Sequence, residues 1–176
     1  MSTIDTQVLP AGTWQVDKVH SSIGFAVDYM AGTFHGTFSD FDAVVADGVL
    51  NGSAKVASVQ VKDENLAAHL QSPEFFDAQV HPELTFTSKA IDRDGDRVTI
   101  DGEITIKGHT ETAEITGEIS DPLADPYGGE RFGLALQTAV DRDAFSISWN
   151  NSLPSGEPAL SNEVTISAEL QLSKQS

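Results

Sequence analysis

Asp17, His20 and Ser21 bring the residue types of a nucleophilic triad into one short stretch. A serine activated by a histidine that an aspartate orients would be an acyl-transfer centre. All three fall in a single turn, however, where aspartate and serine side chains serve to hydrogen-bond the neighbouring backbone, so no catalytic residue is assigned. The histidines His20, His35, His69, His81 and His109 include no i, i+4 pair of the kind that turns two imidazoles toward one metal ion. Residues 92–96, DRDGD, have the opening spacing of a calcium loop without its closing glutamate, and a hairpin turn accounts for them. No metal site is expected. The chain has no cysteine, which removes disulfides, thiol catalysis and thiolate metal sites together. The chemistry left is apolar. Phe25, Tyr29, Phe34, Phe38, Phe75, Phe76 and Phe86 share their faces with the small residues Gly36, Ala90, Gly102, Gly117 and Ala168, and small residues beside aromatic walls predict a slot.

The elements that would position this set are strands. Ile23, Phe25, Val27 and Tyr29 alternate with Gly24, Ala26, Asp28 and Met30. Phe34, Gly36 and Phe38 continue after a turn at Ala31-Gly32, and Asp47-Gly48 signals a hairpin. Residues 49–61 read as one strand whose parity switches between Val56 and Val59, as at a bulge. Leu84, Phe86 and Ala90 share a face. Val98, Ile100, Gly102, Ile104 and Ile106 lead through Lys107-Gly108 into Ala113, Ile115, Gly117 and Ile119. After a Pro- and Gly-rich loop over 121–130 come Phe132, Leu134, Leu136, Thr138 and Val140. A second loop over 150–162 precedes Val164, Ile166, Ala168, Leu170 and Leu172. Eight or nine alternating strands predict an all-β, antiparallel sandwich or up-and-down barrel.

One stretch breaks the pattern. In residues 63–86 Asp63 is a helix N-cap, and Leu66 and Leu70 share a helical face. Ser72 with Pro73 opens a second turn carrying Phe75 and Phe76, and Pro82 returns the chain to an extended form at His81. An insertion this long between two strands has the character of a lid or plug.

One domain accounts for 176 residues without a compositional break, with residues 1–11 as an N-terminal extension and 12–173 as the barrel domain. A net charge of −17 repels nucleic acids and anionic bilayers. No apolar run approaches the length of a membrane span, so no stable membrane insertion is expected. The N-terminal residues lack the basic and apolar regions of a secretory signal, which predicts a cytoplasmic protein.

The runs HLQSPEFFD and HPELTFTS, Trp14 followed by Asp17–Ser21 as Asp-x-x-His-Ser, Gly36–Phe38, GEITIKG over 102–108 and Arg142 together resemble the YceI family of polyisoprenoid-binding, lipocalin-like proteins. The resemblance runs from Gly12 to Leu172. It implies an eight-stranded barrel with the short helical insertion covering one end, and a bound polyisoprenoid or fatty-acid-like ligand in place of any cofactor. The chain departs from the family pattern at Asn65–Ala68, where Asn-Arg-Asp is usual, and at Tyr29, where a histidine is. The residues expected around the lipid are Phe25, Val27, Tyr29, Phe34, Phe38, Leu70, Phe75, Phe76, Phe86, Ile104, Leu134 and Leu136, with His20, Ser72 and Arg142 as head-group candidates. The expected partner is a hydrophobic small molecule, and the resemblance admits a homodimer. Strands of nine or ten residues span ~30 Å and a tilt of about 40° leaves ~20 to 25 Å of barrel height, which suits a linear chain. An enzymatic alternative would gather His20, Ser21 and Arg142 at the barrel mouth; a solid-cored interaction protein would have no cavity.

Overall fold

The computed structural model describes residues 8–175. Its strands are β1 (Thr13–Val16), β2 (Ser22–Tyr29), β3 (Gly32–Phe38), β4 (Phe41–Ala46), β5 (Val49–Lys55), β6 (Val59–Gln60), β7 (Glu83–Asp94), β8 (Arg97–Ile106), β9 (His109–Ile119), β10 (Leu123–Ala124), β11 (Glu130–Asp141) and β12 (Leu160–Lys174), with helix α1 (Glu64–Leu70) between β6 and β7. These segments make eight barrel strands. β1 and β2 both run antiparallel to β12, with a break at residues 17–21 and an irregularity in register between Leu160 and Val164. β3 and β4 together pair with β2 and β1, and β5 and β6 with β4 and β3. The meander continues through β7, β8, β9 and β11, and β11 pairs with β12 to close a ring of eight antiparallel strands.

The tight turns come from residues that tolerate a left-handed backbone. Asp47-Gly48 has φ of 53° and 78°, and Lys107-Gly108 has 54° and 78°, the paired positive values of a hairpin turn that matches strand twist. Because the strands alternate in direction, residues 30–31, 61–82, 107–108 and 142–159 gather at one end, here called the mouth. The turns at 47–48 and 95–96, the loop over 120–129 and the outer ends of β1 and β12 lie at the other end, the floor.

The floor is solid. Trp14 and Phe132 meet edge to face at 4.9 Å, and Val45, Val98, Ile100, Leu134 and Leu172 around them are fully buried. Leu9 is buried in the same cluster, and Ala11 accepts the Trp14 indole N–H at 3.1 Å. The part of the expected N-terminal extension around Leu9 therefore belongs to the barrel's core; residues 1–7 lie outside the described residues.

Three sequence expectations are corrected. Residues 49–61 are not one bulged strand: a 3-10 turn over Val56–Ser58 separates β5 from β6, because the chain must step from pairing β4 to pairing β3. Ala90 does not share a face with Phe86. An irregularity between Ser88 and Ala90 shifts the register, so Ser88 turns inward, where its hydroxyl accepts the Leu50 N–H at 2.9 Å, and Ala90 is exposed. Gly36 and Gly102 leave no open slot. A Cβ at Gly36 would stand 2.5 Å from the Phe25 ring, and one at Gly102 2.5 Å from the Phe86 ring; each ring lies across the strand beside it.

On the outer wall near the floor, Arg131 links two connections. It donates to Asp17 and, at 3.2 Å, to Asp125. Asp17 also accepts from the Val19 N–H at 3.0 Å and lies 2.7 Å from His20 Nδ1. Hydrogen bonds from Arg131 and then His20 hold the Asp17 carboxyl well below the usual carboxylate range. A carboxyl depressed in the folded state stabilises the fold above its unfolded pKa, near 3.8, and that contribution is lost as pH falls below it. Asp17→Asn is expected to lower the melting temperature at pH 7 and to leave it less sensitive between pH 4 and 2 than the parent's, as read by circular dichroism melts. Trp14→Ala, which opens a cavity in the solid half, is expected to cost about 3 to 5 kcal/mol in urea unfolding.

Candidate functional site

Burial changes along single strands. On β12, Leu172 is wholly buried and Leu170 nearly so, but Ala168, Ile166 and Val164, on the same inward face, are only half-buried. Ile23 and Phe25 on β2 are half-buried as well. These side chains face a hollow inside the ring. The mouth half holds a cavity of 280 Å³, and a second of 110 Å³ lies beside it toward the floor; Ile23, Leu84 and Ile166 wall both. The barrel is thus hollow over the mouth half and packed over the floor half, which corrects the expectation of a tube running its full height.

Two segments cover the mouth. In the first, Asp63 caps α1 by accepting from the N–H groups of Asn65 at 2.7 Å and Leu66 at 3.3 Å, and Leu66 and Leu70 reach the cavity. The turn after Pro73 is closed by the Phe75 and Asp77 N–H groups donating to the Ser72 carbonyl at 3.0 and 2.9 Å. It sends Phe76 inward, 6.2 Å from Phe25 and 6.0 Å from Phe38. The second segment follows β11, a 3-10 turn over Arg142–Phe145 that ends at Ser146 in the left-handed region, φ 60°. Phe145, Ile147 and Trp149 from this segment also line the cavity. Sequence reading missed them. Their signal was a spacing of two, but the prolines and glycine that follow directed attention to the loop.

The segments are latched together. The His69 ring stands edge-on to Phe75 and to Trp149, both at 4.9 Å, with Nε2 3.0 Å from Glu74 Oε1. Lys107, from the β8–β9 turn, donates to the Pro73 carbonyl at 2.6 Å and the Ser146 carbonyl at 3.1 Å, tying both to the rim. Arg142 fixes the second segment from within. Only 4% exposed, it donates Nε to Ser161 O at 2.9 Å, Nη1 to Ile147 O and Trp149 O at 2.8 Å each, and Nη2 to Leu160 O at 3.4 Å. Burial pushes its pKa down while Asp143 and Asp141 oppose that shift.

Of the residues expected around a ligand, Phe25, Val27, Tyr29, Phe34, Phe38, Leu70, Phe75 and Phe76 line the larger cavity. Phe86, Ile104 and Leu136 line the smaller. Leu134 lines neither and sits in the floor packing. Among the head-group candidates only Arg142 borders the cavity. The Ser72 hydroxyl donates to His69 O at 2.6 Å within the lid, and His20 stands on the outer wall. Ser21 accepts the Gln171 N–H at 2.9 Å beside it. His20, Ser21 and Arg142 are therefore not gathered at the mouth, because the break between β1 and β2 falls near the floor end of β12. Among the described residues there is no cluster of His, Asp and Glu that could hold a metal ion, and no helix is long and apolar enough to cross a membrane.

The fold has solved counterparts. The chain superposes on BcnA of Burkholderia cenocepacia with a TM-score of 0.73 at 22% identity, over 89% of this chain and 98% of that one. It superposes on a polyisoprenoid binding domain from Saccharophagus degradans with a TM-score of 0.71 at 12% identity, over 92% and 98%. Protein YceI of Escherichia coli is 29% identical over 147 residues, 78% of this chain and 77% of that protein. The model of the YceI-like domain matches residues 14–172, and with the closed barrel and its single helical insertion that match makes this chain a member of the YceI-like family.

Proposed function

We propose that the chain is a non-enzymatic binding module that holds the apolar tail of a polyisoprenoid or comparable long-chain amphiphile inside the barrel, as a carrier or store. The observation that carries this reading is the 280 Å³ cavity under the lid, walled almost wholly by aromatic and branched apolar side chains. An apolar guest in such a space gains dispersion contacts with every wall. At roughly 25 cal/mol per Å² of apolar surface removed from water, such walls retain a tail with no directional partner. The counterpart described as a polyisoprenoid binding domain has the same architecture at low identity, which supports the class of ligand.

Mass spectrometry of an organic extract of the purified protein, set against a mock purification, is expected to return about one apolar-tailed lipid per barrel. An extract without lipid, from protein that also takes up none on loading, would remove the carrier reading and leave an unligated interaction protein. His20→Ala and Ser21→Ala should leave any bound lipid chemically unchanged; a lipid processed by the parent and not by these variants would establish an enzyme instead.

The lid makes a further expectation. Phe76 meets Phe25 and Phe38 across the cavity, and Phe75 packs on His69 and Trp149 within the cover. Replacing Phe75 and Phe76 together by alanine is expected to speed lipid exchange by roughly tenfold, about 1.4 kcal/mol, with a smaller loss of ligand-free stability than the ~3 to 5 kcal/mol of one core aromatic. Lys107→Met, which removes the latch without touching the cavity, should speed exchange in the same direction. Stopped-flow transfer of a fluorescent lipid to acceptor vesicles reads both.

A further inference from the structure

We propose that this barrel is a short-chain selector: it encloses an uncharged apolar segment of about 12 to 16 carbons and leaves the polar head and any further carbons outside the lid. This rests on the carrier reading and adds to it the length and polarity of what is enclosed.

The length follows from volume. An apolar protein cavity of about 150 Å³ accommodates one benzene, six carbons. The larger cavity, 280 Å³, is almost two such spaces, and the adjoining 110 Å³ adds most of a third. Below Leu50 and Leu170, which border the smaller cavity, the interior ends. Trp14 and Phe132 meet edge to face there, and Leu134, Val98 and Leu172 around them are 2% exposed or less. Moving a packed aromatic aside to admit more chain would cost as much as a core substitution, so the floor acts as a stop.

The polarity follows from the state of the polar groups. Among the described residues no buried side-chain nitrogen or oxygen lacks a hydrogen-bond partner. Arg142 is the buried cation at the cavity, and its bonds go to the carbonyls of Ser161, Ile147, Trp149 and Leu160. Drawing the guanidinium toward an anionic head would strip those carbonyls and release the second mouth segment. His69 is likewise engaged by Glu74. A charged group carried inside would lose its water and meet only the neutral Tyr29 hydroxyl and Trp149 indole beyond these engaged side chains, which do not neutralise a charge. It stays at the mouth.

The test is a ladder of prenyl alcohols of 10, 15, 20 and 40 carbons, dispersed in a mild detergent. Binding is read from the fluorescence of Trp149, which lines the cavity, in the Trp14→Phe background to remove the only other tryptophan. Affinity is expected to rise about tenfold or more from 10 to 15 carbons and to change less than about threefold from 15 to 40, because added carbons lie outside and bury no further surface. Farnesyl diphosphate should bind within about threefold of the 15-carbon alcohol if its head stays outside. Two variants move the stop in opposite directions. Leu170→Ala deepens the smaller cavity and should shift the plateau to 20 carbons; Ala168→Leu fills that cavity and should bring the plateau to 10. Affinity that keeps climbing to 40 carbons, a plateau unmoved by the filling variant, or a strong preference for the diphosphate would each overturn the proposal while leaving the carrier reading intact. Failure of every length to bind would overturn both. Should the Trp14→Phe background prove unstable, displacement of a fluorescent fatty-acid probe from the parent protein reads the same ladder.

Discussion

β12 is the strand on which this molecule closes. It pairs with β11 along one edge from Ser173 to Glu163, and along the other with β1 and then β2. Without it the sheet would be an open meander with two exposed edges, which proteins avoid because unpaired strand edges recruit other chains. Closure has a further consequence. A ring of eight strands has an interior just wide enough to be filled by side chains or to hold a small guest, so the choice between a core and a cavity is made residue by residue along the axis. β12 carries both answers on one face, with Leu172 and Leu170 in the packed half and Ala168, Ile166 and Val164 on the hollow half.

The two halves divide the work. The floor supplies cohesion through Trp14, Phe132 and the branched side chains around them, all nearly inaccessible. The mouth half lacks such filling, and its strands are joined less completely. β9 pairs with β11 only from Thr116 to Ile119, and beyond that the Thr138 hydroxyl donating to Glu114 O at 2.9 Å bridges the two strands. The mouth instead depends on its cover. Residues 61–82 and 142–159 have little regular structure to bind them to the barrel, and a helix of seven residues is marginal in isolation. Their order comes from apolar anchors turned inward and from a few directed cations.

Those cations stand out in a chain with 27 acidic and 10 basic residues. Arg142 joins two carbonyls of the second cover segment, Ile147 and Trp149, to two at the start of β12, Leu160 and Ser161; Lys107 joins the two covers, and Arg131 holds the floor-side connections through Asp17 and Asp125. Each ties irregular backbone to its surroundings, and for the two arginines a planar guanidinium suits that task because its fixed donors reach several acceptors at once. The remaining acidic excess faces outward, where it favours solubility.

What the sequence determined by itself is what depends on near neighbours. Alternation assigned faces from Ile23 to Tyr29 and from Val98 to Ile119, since a strand's period of two is a local property. Asp47-Gly48 and Lys107-Gly108 marked tight turns, and Asp63 with Pro73 marked the helical insertion, each through its own backbone preference. The aromatic set that walls the cavity was legible for the same reason. Depth along the barrel axis was not. Whether an inward residue meets packed floor, as Leu134 does, or open space, as Leu136 does, is settled by register with strands far away in the chain. Only the folded ring could turn Ala90 outward at an irregularity, set the Phe25 ring over Gly36, or send Arg142 to carbonyls up to 19 residues distant. It also kept His20 and Ser21 on the outer wall near the floor, away from the cavity. These outcomes belong to the tertiary structure because each is a contact between residues whose separation in sequence carries no information about their separation in space.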